Sequence, residues 1–166
     1  MNSRIRTIAL AGLFVSLAFV LSFVEGLFPF SVGVPGVKIG LANTVSLFVL
    51  YKLGFKEALF VSLARITLAS FAFSGLFAGA YALCGALLSL TVMTLLKRTG
   101  VFSATGVSVC GAVAHNVGQL IFALFVFETG ALVLYLPVLL LSGVISGAVV
   151  GLLGALALSR IGIKTK

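Results

Sequence analysis

The chain has no tryptophan and no aspartate, and it has few charges of either sign. Of 166 residues, 3 are acidic and 11 are lysine or arginine, so charged residues make up only 8%. A soluble domain carries about a quarter charged residues, so this chain cannot cover a water-facing surface. Glu25, Glu57 and Glu128 are the acidic side chains, and no two are near each other in sequence. Metal-dependent prenyl or phosphoryl chemistry needs clustered carboxylates on Mg²⁺, and no such cluster is visible. Without aspartate, no Ser-His-Asp constellation can form. The stretch "GVPGVKIG" lacks the spacing and the Lys-Ser/Thr of a phosphate-binding loop, so the chain is expected to have no ATPase of its own. The expectation is therefore a protein that is not an enzyme and holds no cofactor and no metal. Cys84 and Cys110 sit inside apolar runs without a Cys-x-x-Cys partner and read as small packing residues.

What is present is apolar. Hydrophobic residues make up 61% of the chain, which predicts an all-α integral membrane protein, with residues 1–166 forming a single transmembrane domain. A spanning helix needs about 20 mostly apolar residues. Six runs qualify or come close: residues 8–24, 39–51, 57–73, 76–96, 103–127 and 131–158. The second is short. The sixth is long enough to tilt or to contain a re-entrant start near Pro137. The opening "MNSRIRTIALAGLFVSLAFVLSF" resembles a signal peptide but reads as a first spanning helix, because further spans follow.

The net charge of +8 is not a nucleic-acid signal, because the positives fall in small groups between apolar runs. Arg4 and Arg6 precede span one, and Lys52 and Lys56 lie between spans two and three. Lys97 and Arg98 lie between spans four and five, and Arg160, Lys164 and Lys166 follow span six. In a six-span arrangement all nine share one side, so the positive-inside rule puts both termini in the cytoplasm. Five spans would place the C-terminal positives outside. The expected location is a prokaryotic cytoplasmic membrane, multi-pass.

Small residues mark contact faces. Gly143, Gly147 and Gly151 recur every fourth residue and share one helix face. Ala78, Ala82, Ala86 and Leu90, flanked by Gly85 and Ser89, do the same in span four. Such faces serve packing within the bundle or docking of a partner membrane protein.

The remaining polar residues need another account, since ionisable groups within spans are costly and face cavities or partners. Arg65 lies about 12 Å along span three from Glu57, too deep to snorkel easily. It reads either as a structural pair with a carbonyl or a side chain such as Asn116, or as an anion-binding guanidinium. In "AVAHNVGQLIF", His115, Asn116 and Gln119 fall on one face at mid-membrane depth. They are satisfied core residues or a ligand site. Lys38 and Asn43 belong to "LFPFSVGVPGVKIGLANTVSLFVLY". Its short helix must start below the outer surface, so residues 29–40 dip into the bundle. Irregular backbone at that depth is tolerated where it lines a cavity, and a helix start there favours an anion. The segment reads as lid and wall of an outward-facing pocket with Lys38 as an anchor, or else Lys38 is a snorkelling lysine on an ordinary loop. The candidate substrate-binding residues are thus Lys38, Asn43, Arg65, His115, Asn116 and Gln119.

The stretches "PGVKIGLANTVSLFVLYKLGFKEALFVSLARITLASFAFSG" and "GAVAHNVGQLIFA" resemble the Gx transporter family, often labelled heptaprenyl diphosphate synthase component I. That family is similar to the substrate-binding S components of energy-coupling-factor (ECF) transporters. The resemblance implies six helices with cytoplasmic termini, a long first loop over an outward-facing site, and uptake of a small molecule such as a vitamin. The implied partners are a transmembrane T component and two cytoplasmic ATPases, which hydrolyse the ATP. S components use an Ala-x-x-x-Ala pattern on helix one to meet the T component. Here helix one offers Gly12 with Ser16 and Ala18 with Ser22. The label also implies an isoprenoid link, and some relatives accompany flavin- or quinone-dependent extracellular electron transfer. Three functions follow as expectations: a transport subunit for an anionic or carbonyl-bearing substrate with an apolar part, a non-catalytic partner of a polyprenyl diphosphate synthase or quinone-pathway enzyme, and a membrane component of electron transfer.

Overall fold

The computed structural model describes residues 3–27 and 39–161. Lys38, most of the expected lid segment, Lys164 and Lys166 lie outside the described residues. Within them the chain is helical and contains no strand. The elements are α1 (Ser3–Leu27), α2 (Leu41–Lys52), α3 (Phe55–Ala69), a π-helical turn (Ser70–Ser74), α4 (Leu76–Thr99), α5 (Ala104–Phe127), a 3-10 turn (Gly130–Tyr135) and α6 (Leu136–Arg160). In hydrocarbon every backbone N–H and C=O must find its partner within the protein, and a helix does so within its own segment.

Five segments are long and apolar enough to cross a membrane: Ile5–Leu27, Phe55–Ser74, Leu76–Thr99, Ala104–Phe127 and Gly130–Arg160. The helix α2, with 12 residues, is shorter than the span length of about 20 residues. Several boundaries move from their expected places. Helix α1 runs through Leu27 rather than ending at residue 24, so Glu25 belongs to a helix and not to an outer loop. The helix expected over 39–51 starts at Leu41, after Gly40 takes a left-handed conformation with φ 85°. The long sixth run is divided: a 3-10 turn over Gly130–Tyr135 precedes α6, and Pro137 sits in the first turn of α6, where its missing N–H costs nothing.

The basic residues gather at one end. Lys97 Nζ donates to the Leu50 carbonyl at 2.7 Å, so the end of α4 meets the end of α2. Its ammonium also lies 4.9 Å from the Tyr51 ring centre. Thr7, Ile8 and Lys56 line one shallow groove, bringing the starts of α1 and α3 together. The opposite end is aromatic, with Phe23 and Phe73 rings 5.6 Å apart and Phe77 and Phe127 rings 5.8 Å apart.

The dry core lies toward the basic end, around Phe14, Leu47, Leu50, Val61, Leu90 and Val107. The glycine face of α6 packs inside the bundle. A Cβ at Gly143 would lie 3.1 Å from the Val113 Cα, and one at Gly151 would lie 2.7 Å from the Thr105 Cα. Both contacts are with α5, so this face is used in bringing two backbones together.

Candidate functional site

Nearer the aromatic end the helices part around a cavity of about 640 Å³. Asn43, Arg65, His115, Asn116 and Gln119 all line it. Three separate helices, α2, α3 and α5, therefore bring five of the six expected site residues to one volume. The sixth, Lys38, is outside the described residues.

Arg65 reaches the cavity because α3 enters from the basic end and carries it about 15 Å along its axis from Phe55. Its Nη1 donates to the Ser22 Oγ and its Nη2 to the Asn43 Oδ1, each at 3.3 Å. Its Nε is buried and has no partner among the described residues. Two long hydrogen bonds and an unused donor leave a guanidinium, which has five N–H groups, undersupplied with acceptors. The pairing with Asn116 raised by the sequence does not occur; Asn43 takes that place.

Glu25 is the site residue that sequence reasoning missed. Its carboxylate accepts from the Gly40 N–H, which ties the end of α1 to the start of α2. It lines the same cavity as Arg65. An acceptor at a helix start is satisfied both by the free N–H and by the helix dipole. The residue thus occupies the position where the sequence suggested an anion. The run "FVEGL" carried the signal, but the end of the apolar run at Val24 concealed that the helix continues.

The α5 residues divide in role. Asn116 donates from Nδ2 to the Leu139 carbonyl at 2.7 Å and to the Ser142 Oγ at 3.3 Å. It fastens α5 to α6 as well as lining the cavity. Gln119 is 8% exposed and makes no hydrogen bond among the described residues. Gly85 on α4 makes room for both His115 and Gln119. A Cβ there would lie 2.8 Å from the Gln119 Cγ and 2.9 Å from the His115 Nε2. Gly118 similarly admits the Cys84 carbonyl of α4, to 2.8 Å from its would-be Cβ. The small residues of α4 have a use beyond packing, since Ala78, Ala82, Ala86 and Ser89 line the cavity wall.

Four further hydroxyls were not singled out. Ser46, Ser62, Ser89 and Ser108 come from α2, α3, α4 and α5 and line the cavity toward the dry core. Ser46 and Ser62 share a hydrogen bond of 2.9 Å. A serine inside an apolar run looks like one more small packing residue, so no sequence signal separates these from the others. At the opposite end Phe77, Tyr81, Phe127 and Tyr135 surround the cavity. The arrangement can hold a small amphipathic molecule: one cation, one carboxylate and several neutral amides and hydroxyls beside aromatic walls.

A family model described as heptaprenyl diphosphate synthase component I matches residues 14–157. Comparison with curated proteins and with solved structures gives no match.

Proposed function

The chain belongs to the heptaprenyl diphosphate synthase component I family, and from that premise we propose that it is the membrane-embedded substrate-binding subunit of an energy-coupling-factor-type uptake transporter. One observation carries this reading: a cavity of about 640 Å³ within a helical bundle, where α2, α3 and α5 contribute Asn43, Arg65, His115, Asn116 and Gln119. The chain binds and does not catalyse. Its partners are a transmembrane T component and cytoplasmic ATPases. The basic residues at one end face the cytoplasm, and α2 joins the five long segments as a short sixth membrane helix. The substrate has an acceptor group, anionic or carbonyl, for Arg65, and an apolar part that includes isoprenoid- or quinone-related precursors.

Helix α1 supports a T-component contact on one of its two small-residue pairs. Gly12 and Ser16 are exposed. Ala18 is fully buried, and Ser22 is bonded to Arg65, so that pair is used inside the bundle.

Purification from the native membrane tests the reading. A T component and ATPases are expected to come with the chain. Arg65→Met is expected to fold while losing about 10–100-fold in small-molecule binding, as for a charged hydrogen bond. The family's description favours a second reading, a non-catalytic membrane partner of a polyprenyl diphosphate synthase. Repeated recovery of a synthase subunit with no ATPase would put it in place of the first.

A further inference from the structure

The cavity is polar at one end and aromatic at the other, and the polar end is short of partners. Ser89 and Gln119 are each 8% exposed and Ser108 is 3% exposed. All three line the cavity, and none makes a hydrogen bond among the described residues. Their polar atoms open onto the cavity, since the enclosed side-chain atoms without a partner among the described residues are Thr44 Oγ1 and Arg65 Nε, so they are available to a molecule seated there. Ser89 and Ser108, on adjacent helices, form a hydrogen-bonding subsite, and Gln119, about 16 Å along α5 from Ser108, adds a third group to the same cavity.

The order along the helices gives the subsite a direction. Phe77 stands at the start of α4 and Ser89 about 18 Å farther along the axis. On α5 the order is reversed, with Ser108 near the start and Phe127 at the end. The aromatic residues therefore surround the outer part of the cavity and the hydroxyls its inner part. Arg65 and Asn43 lie between them, as Asn43 is about one helical turn outward from Ser46 on α2.

We infer that the cavity takes an amphipathic molecule with its polar end inward. The inner end bears hydroxyl or carbonyl groups that pair with Ser89 and Ser108, and Gln119, about 16 Å farther outward along α5, pairs with a hydrogen-bonding group nearer the middle of the molecule. An acceptor group sits beside Arg65, and the apolar part lies outward against Phe77, Phe127 and Tyr135. A molecule that enters with a prenyl chain first does not fit, because the chain would cover the inner hydroxyls of Ser89 and Ser108 and leave them unpaired. The inference rests on the substrate-binding reading and adds the class and orientation of the substrate.

The test uses the full chain in lipid nanodiscs and an aqueous-methanol small-molecule extract of the source cells as the probe mixture. After washing, retained molecules are released and recorded by mass spectrometry, and thermal midpoints are measured in parallel. The expected result is enrichment of an amphipathic molecule with a hydroxyl- or amide-bearing head. Its retention should fall about tenfold in Gln119→Leu and in the double variant S89A/S108A, with no drop in thermal midpoint. A lowered midpoint with retention intact makes the three residues structural and overturns the inference. Enrichment of a molecule without a hydrogen-bonding head also overturns it. Retention that depends on Arg65 but not on Gln119, Ser89 or Ser108 overturns the orientation and leaves the substrate-binding reading standing. No enriched molecule at all overturns both.

Discussion

Replacing Gly147 with alanine sets two helix effects against each other, and the structure decides between them. An added Cβ would lie 2.6 Å from the Val109 Cα, 2.9 Å from the Ala112 Cβ and 3.1 Å from the Ser108 carbonyl oxygen. Two of those neighbours are backbone atoms of α5, which cannot rotate away. Overpacking of this kind costs about 1–3 kcal/mol, while replacing a helical glycine with alanine gains about 1 kcal/mol in propensity. Gly12→Ala isolates the gain, because nothing lies within 4 Å of a Cβ there. The propensity term is common to both variants and cancels in the comparison. Gly12→Ala should therefore be more stable than Gly147→Ala by about 1–3 kcal/mol. Reversible unfolding in mixed detergent and sodium dodecyl sulfate micelles measures the difference. Equal stabilities, or a more stable Gly147→Ala, would refute the claim that backbone contact fixes this seam.

Asn116→Ala removes the donors to the Leu139 carbonyl and the Ser142 hydroxyl and is expected to cost about 1–2 kcal/mol in the same unfolding assay. Lys97→Met removes the hydrogen bond to the Leu50 carbonyl and the contact over Tyr51; a loss of about 1 kcal/mol is expected, and no change would mean that water replaces the ammonium. Single cysteines at positions 52, 56 and 97 should react with impermeant maleimide in inside-out vesicles and not in intact cells, and labelling of intact cells would reverse the proposed orientation. Glu25→Ala should loosen the junction of α1 and α2, seen as faster hydrogen exchange at the Gly40 amide, because its carboxylate partner is gone.

The helical architecture was legible because hydropathy and charge placement record the same fact, which segments avoid water. The convergence of Arg65, Asn43, His115 and Gln119 was legible for a related reason. Polar residues at mid-depth must turn inward, so their positions along each helix nearly fix where they meet. Glu25 fell just outside the expected first span, 8–24, because hydropathy marks where a helix leaves lipid, not where its hydrogen bonds stop. The break at Gly130–Tyr135 was anticipated only as an oddity near Pro137, since the run reads as uniformly apolar. Ser108 was not singled out, and Ser89 was read only beside a small-residue contact face. Serine is common at tight helix contacts, and only the three-dimensional arrangement shows which hydroxyls face an open volume rather than a neighbouring backbone.

The glycine contacts also divide the bundle mechanically. Helices α4, α5 and α6 touch backbone to backbone at Gly118, Gly143, Gly147 and Gly151, so they behave as one stiff block. Helix α3 connects to that block through a π-turn and Gly75, whose φ is 83°, at the end of the bundle away from the core that the two sides share. Arg65 and Asn43 stand on the jointed side, and Gln119, Ser89 and Ser108 on the stiff side. A molecule bonded to both sides would act as a keystone across the open end of the cavity, completing a junction that the shared core and the Lys97–Leu50 hydrogen bond already close at the basic end.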